Sequence, residues 1–188
     1  DYYGSNSDVK EIAEVCHKEN LPLLVDGAHG AHYKFLKQDC HPISLGADLC
    51  CNSLHKTMPT LTGAALLHIG NDKYVSLAKQ RMALFGSTSP SYLILLSIDL
   101  LLPTLYGNVE ERLSKVTDSV AALQALARKA GYAVPHWDCD PARLTIGFGG
   151  AGFTAEEFAQ LLAKFQLEPE YMDDYYAVFL PGFDIRER

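Results

Sequence analysis

Two short apolar runs, each stopping at ionisable residues, constrain this chain more than any other feature. Leu21-Pro22-Leu23-Leu24-Val25 ends at Asp26-Gly27-Ala28-His29, and Asp48-Leu49-Cys50-Cys51-Asn52-Ser53 ends at Leu54-His55-Lys56. An apolar run without polar alternation, following a helical pattern, predicts a parallel strand buried on both faces. The helix before the first run is legible. Asp8 caps it with Glu11 reaching back, Val9, Ile12, Ala13, Val15 and Cys16 share one face, and Asn20 and Pro22 stop it.

The same alternation of elements continues downstream. Residues 63–69 read as a third strand and residues 73–85 as a helix. Gly86-Ser87-Thr88-Ser89-Pro90 opens another helix, with Ser89 as cap and Pro90 at its first position. A long amphipathic helix over 108–130 ends at Gly131. Beyond it the character changes: 144–146 and 177–180 read as strands flanking a helix capped by Thr154, with Glu157 three residues on. The expected architecture is α/β, with a large domain over 1–131 and the start of a small α+β domain over 132–188. The polar end, 184–188, leads to no further element, so the small domain is expected to be truncated.

Composition narrows the function classes. The formal charge of −7 leaves no basic surplus for displacing phosphate counterions, which argues against a general nucleic-acid binder. With 48% hydrophobic and 21% charged residues, the chain can build a core. The longest apolar run, 92–106, carries Asp99 and Pro103 and is too short for a bilayer, so no membrane span is expected. The first residues, Asp1-Tyr2-Tyr3-Gly4, lack the pattern of a signal peptide. Cys16, Cys40, Cys50, Cys51 and Cys139 show no paired spacing. Cys50 and Cys51 are expected as buried packing thiols, and a reducing, cytoplasmic setting follows.

In α/β sheets, ligands sit at the carboxyl ends of parallel strands. A carboxylate and a lysine at adjacent strand ends suit pyridoxal phosphate, which needs an amine for a Schiff base, an acid for its ring nitrogen and donors for its phosphate. By spacing alone, a salt bridge at a loop edge accounts for Asp26 and Lys56 equally well. Two other patterns compete. Gly147-Phe148-Gly149-Gly150-Ala151-Gly152 matches G-x-G-x-x-G, but the next helix starts beyond it, at Thr154, so it reads as a turn. His29, His32, Cys40 and His41 lack the spacing of a recurrent zinc site, so no metal is expected, and His32 and His41 read as solvated loop residues.

Three stretches carry a resemblance. They are Asp26-Gly27-Ala28-His29-Gly30-Ala31-His32, then Gly46-Ala47-Asp48, then Ser53-Leu54-His55-Lys56-Thr57-Met58-Pro59-Thr60-Leu61-Thr62. Together with Gly86-Ser87-Thr88-Ser89-Pro90-Ser91-Tyr92 and Asp140-Pro141-Ala142-Arg143-Leu144-Thr145, they resemble the bacterial ornithine/lysine/arginine decarboxylases. Those are pyridoxal-phosphate enzymes of the aspartate-aminotransferase fold (fold type I), so the large domain is expected to be part of a three-layer αβα architecture.

The resemblance implies roles. Lys56 would form the Schiff base, Asp26 would pair with the pyridinium nitrogen, Ala28 would pack on a ring face, and His29 would lie near the 3′-oxygen. Ser53 and His55 would hold the phosphate. Ser87 and Thr88, at a helix start that favours anions, resemble the loop that reaches a neighbouring subunit's cofactor, which implies a homodimer or higher homo-oligomer with a shared site. The implied substrate is a basic amino acid (arginine, lysine or ornithine), decarboxylated to a polyamine precursor. In this fold an upstream part of the large domain also lines the cofactor, so the chain alone is expected to bind it poorly and to be inactive. Two alternatives stand beside this reading: another fold type I activity (aminotransferase or lyase), and a non-catalytic assembly module.

Overall fold

The structure is a computed structural model, and it describes residues 1–136 and 140–182. Cys139 and the polar end 184–188 lie outside the described residues. The chain forms two compact units, Asp8–Glu111 and a second made of Asp1–Ser7 with Arg112–Arg188. The division falls upstream of Gly131, between residues 111 and 112, and the first seven residues group with the C-terminal segment, to which Tyr2 and Tyr3 hydrogen-bond.

In the unit Asp8–Glu111, helix α1 (Val9–Lys18) starts where Asp8 Oδ1 accepts the Glu11 N–H at 2.9 Å. Strands β1 (Leu24–Asp26), β2 (Leu49–Ser53) and β3 (Ala65–Ile69) form one sheet in that order. β1 and β2 are parallel, pairing Leu24 with Leu49 and Asp26 with Cys51, whereas β3 runs antiparallel to β2. Helix α2 (Leu54–Thr57) follows β2 directly. Asp48, just before β2, is buried and ties three elements together. Its carboxylate accepts from His17 Nε2 on α1, the Leu23 N–H before β1 and Asn71 Nδ2 after β3, each at 2.9 Å.

The expectation of a doubly buried first strand fails. Leu24 is 65% exposed, and among the described residues β1 is an edge strand that pairs with β2 alone. On α1, only Ala13 of the apolar face is buried, and Ile12 and Val15 stay exposed. Helices α3 (Val75–Phe85) and α4 (Tyr92–Gly107) complete this unit. Ser91 rather than Ser89 occupies the N-cap position of α4, without a side-chain capping bond, and the helix starts two residues beyond Pro90. Among the described residues, no helix is long and apolar enough to cross a membrane.

Helix α5 (Val109–Lys129) leads into the second unit, burying Leu113, Val116, Val120 and Ala127 at helical spacing, and Gly131 follows it with φ +89°. Strands β4 (Leu144–Gly147), β5 (Tyr171–Met172) and β6 (Tyr176–Phe179) form an antiparallel sheet in the order β4-β6-β5. Helix α6 (Ala155–Lys164) starts at a capping box of Thr154 and Glu157. Phe148 stacks on Phe158 at 4.5 Å between ring centres, with Leu162 and Ala177 completing the core. The first residues dock here: Arg143 Nη1 donates to the Tyr2 carbonyl at 2.7 Å and Thr145 Oγ1 to the Tyr3 carbonyl at 2.8 Å. The glycine-rich stretch forms a short turn over Gly149–Ala151 ahead of α6, as expected of a turn rather than a dinucleotide loop.

Candidate active site

Because β1 and β2 are parallel neighbours, their carboxyl ends place residues far apart in sequence side by side. Asp26 closes β1 and is exposed, and its Oδ1 accepts the Ala28 N–H at 3.0 Å. The turn that follows lies against β2: the Gly27 N–H donates to the Cys51 carbonyl at 2.9 Å and the Ser53 N–H to the Ala28 carbonyl at 3.3 Å. Glycine is the residue that fits position 27 without displacing its neighbours. A Cβ there would sit 2.8 Å from both Asn52 Nδ2 and Cys50 Sγ, well inside contact distance.

β2 turns into α2 at Ser53, and this brings Lys56 back over the β1 turn. Lys56 Nζ lies 3.1 Å from His29 Nε2. Ser53 stays extended, and its hydroxyl does not cap α2. His55 Nδ1 is engaged by the turn before β3, 3.3 Å from the Gly63 nitrogen and 3.2 Å from the Ala64 carbonyl.

Asp26, Ala28, His29, Ser53, His55 and Lys56 thus gather at the ends of β1 and β2. Ser87 and Thr88 stand apart in the exposed loop between α3 and α4, where Ser87 Oγ accepts the Ser89 N–H at 3.1 Å.

Several expectations are corrected. Cys51 is exposed rather than buried. It is paired with Asp26 across the sheet, and its Sγ is 3.8 Å from Asp26 Oδ1. Cys50, on the opposite face, is buried; burial first, then the neighbouring Cys51 and Asp26, push its thiol up to about 11. His32 and His41 are not solvated: each is at least nine-tenths buried. His41 Nε2 bonds Asn52 Oδ1 at 2.9 Å, and the two rings of His41 and His68 meet edge-on. The loop is drawn inward because Asn52 gives a buried imidazole its partner. Strand alternation around a lone Asn in an apolar run was the available signal for this pair. Among the described residues, no group of three or more His, Cys, Asp or Glu could hold a metal ion.

The chain belongs to the Orn/Lys/Arg decarboxylase family: the family model described as Orn/Lys/Arg decarboxylase, major domain, matches residues 1–133. It is 29% identical to an arginine decarboxylase of Halalkalibacterium halodurans over an alignment covering 100% of this chain and 41% of that protein. It is 30% identical to an arginine decarboxylase of Bacillus subtilis, covering 96% of this chain and 40% of that one. The chain therefore spans about two fifths of the length of these curated relatives. In fold it is similar to the E. coli constitutive lysine decarboxylase, with a TM-score of 0.75 and 20% identity over 99% of this chain and 33% of that one. A PLP-bound putative aminotransferase from Clostridium difficile is also similar, with a TM-score of 0.59 and 14% identity over 92% and 48% of the two chains. The fold is that of part of an aminotransferase-like α/β protein.

Proposed function

We propose that this chain supplies the lysine and carboxylate side of a pyridoxal-phosphate site that decarboxylates a basic amino acid (arginine, lysine or ornithine). The observation that carries the reading is the Lys56 amine 3.1 Å from His29 Nε2, on the strand end next to the one that bears Asp26. The donor set fits the cofactor. A primary amine, a carboxylate, an imidazole and a hydroxyl converge at parallel strand ends, with the small Ala28 between them. The names of the family and of its relatives support the basic substrate, and so does the net charge of −7.

Lys56 would hold the cofactor covalently, Asp26 would pair with its ring nitrogen, and Ala28 would leave room for the ring face. Ser53 and His55 would bind its phosphate, and Ser87 and Thr88 would serve the phosphate of a neighbouring subunit in a homodimer. When bound, pyridoxal phosphate supplies an electron sink for the pair left behind by departing CO₂. Lys56 Nζ and His29 Nε2 are close enough to pass a proton without moving either side chain. Thiols at Cys16, Cys50 and Cys51 agree with a reducing, cytoplasmic setting.

The test is borohydride reduction with added pyridoxal phosphate, followed by peptide mapping and product analysis. It is run on the full chain and on a longer polypeptide in which the same residues are embedded. The expected result is an adduct at Lys56 in both or in the longer one, with CO₂ released in step with agmatine, cadaverine or putrescine. Adducts scattered over surface lysines in both, or a keto acid as product, would overturn the reading.

A further inference from the structure

We propose that Asn52, oriented by His41, is a positioning residue that aims the Asp26 carboxylate from the opposite face of the sheet. Alternation along β2 puts Cys51 on the side of Asp26 and Asn52 on the other, where it is 1% exposed. A buried amide is tolerated only where its hydrogen-bonding capacity is used, and an aliphatic side chain would fill a buried strand position without that demand. Here both ends of the amide are engaged. Asn52 Nδ2 donates to the Gly27 carbonyl at 2.6 Å, and Oδ1 accepts from His41 Nε2 at 2.9 Å. The His41 ring is itself set, because Nδ1 accepts the Ile43 N–H at 3.3 Å, which leaves Nε2 as the donor.

The Gly27 carbonyl and the Ala28 N–H belong to one planar peptide group. Its oxygen accepts from Asn52 Nδ2 and from the Gly30 N–H at 2.8 Å, and its N–H donates to Asp26 Oδ1 at 3.0 Å. A single directional series of donors therefore runs from the Ile43 N–H through His41, Asn52 and the 27–28 peptide to the Asp26 carboxylate, each bond polarising the next. Rotating that peptide would cost Asp26 its backbone donor, and the strut opposes the rotation together with the local turn bond from the Gly30 N–H. Asn52 and His41 touch no reacting atom in this arrangement; they act through Asp26. The strut stands on this geometry alone, and its consequence for cofactor binding rests on the function proposed above.

The experiment compares Asn52→Leu, His41→Leu and His41→Gln with the wild-type full chain. Amide hydrogen exchange is read at Ala28 without cofactor, and the Kd for pyridoxal phosphate is read by spectral titration. Asn52→Leu and His41→Leu are expected to speed exchange at Ala28 on the order of 10-fold, with α1 amides unchanged. His41→Gln, which restores a donor near the Nε2 position, is expected to return exchange to within about 2-fold of wild type. The Kd is expected to rise in parallel. Should Asn52→Leu fail to fold, the His41 pair decides. Unchanged exchange at Ala28 in folded leucine variants, or His41→Gln behaving like His41→Leu, overturns the strut. A wild-type chain that takes no cofactor but shows the expected exchange pattern supports the strut and counts against the proposed function. Equal Kd values with unchanged exchange sink the strut and leave that function standing.

Discussion

Lys56 Nζ and His29 Nε2 lie 3.1 Å apart although the residues are 27 positions apart in the chain. An ammonium group has three donors and no acceptor, so beside a charged lysine the His29 ring must present its Nε2 lone pair and carry its hydrogen on Nδ1. Replacing His29 by Phe keeps a flat ring but removes the acceptor. On the proposed function, and in the longer polypeptide that embeds these residues, the expected result is a fall in decarboxylation by about 10²-fold or more, with the borohydride-trapped adduct still formed at Lys56. An adduct lost together with activity would instead assign His29 to holding the cofactor.

The β1 turn tests the close approach at Gly27. Gly27→Ala places a methyl group 2.8 Å from Asn52 Nδ2 and Cys50 Sγ, a clash in a packed region expected to cost about 1–3 kcal/mol. Gly150→Ala, where a Cβ meets nothing within 4 Å, should stay within about 0.5 kcal/mol of wild type. Denaturant midpoints for the two variants read the difference directly, and equal midpoints would show that the turn yields without cost.

The adjacent cysteines should differ in reactivity because they face opposite sides of β2. Burial holds the Cys50 thiol up at about 11, so at pH 8 about one Cys50 in a thousand is thiolate. Exposed Cys51 should react with a maleimide on the order of 100-fold faster than Cys50, as read by time-resolved peptide mapping. On the proposed function, pyridoxal phosphate added first to the longer polypeptide should slow Cys51 alone, since Cys51 lies beside Asp26. Equal labelling of the two thiols would contradict the strand's orientation.

Acid stability should report on Asp48. Burial alone would push its carboxyl up, but the hydrogen bonds from His17, the Leu23 N–H and Asn71 hold it down at about 2. A depressed carboxylate stabilises the fold above its ordinary value of 3.8 and loses that contribution as pH falls toward 2. The shift corresponds to about 2 kcal/mol, and screening through the half-exposed His17 leaves on the order of 1 kcal/mol. Wild type should therefore lose more stability than Asp48→Asn between pH 5 and pH 2, a window about three units wide, as followed by denaturant midpoints. Parallel profiles would show that Asp48 contributes through shape alone.

By itself, the sequence determined the longer helices, most of the strands and which residue types end the first two strands, but not the short α2 or β5. Those are local matters: the Asp8 and Thr154 caps, the glycine after α5 and the apolar runs before Asp26 and Lys56 all act within a few residues. The order of β1, β2 and β3, the antiparallel sense of β3 and the exposure of Leu24 were decided in three dimensions, because strand pairing joins segments that carry no mark of their partner. The same holds for the site. Asp26 and Lys56 were legible as strand-end residues, but the approach of His29 to Lys56 depends on the parallel register of β1 and β2. The inward turn of His41 depends on Asn52, a buried amide on the far face whose capacity only a residue from a distant loop could satisfy.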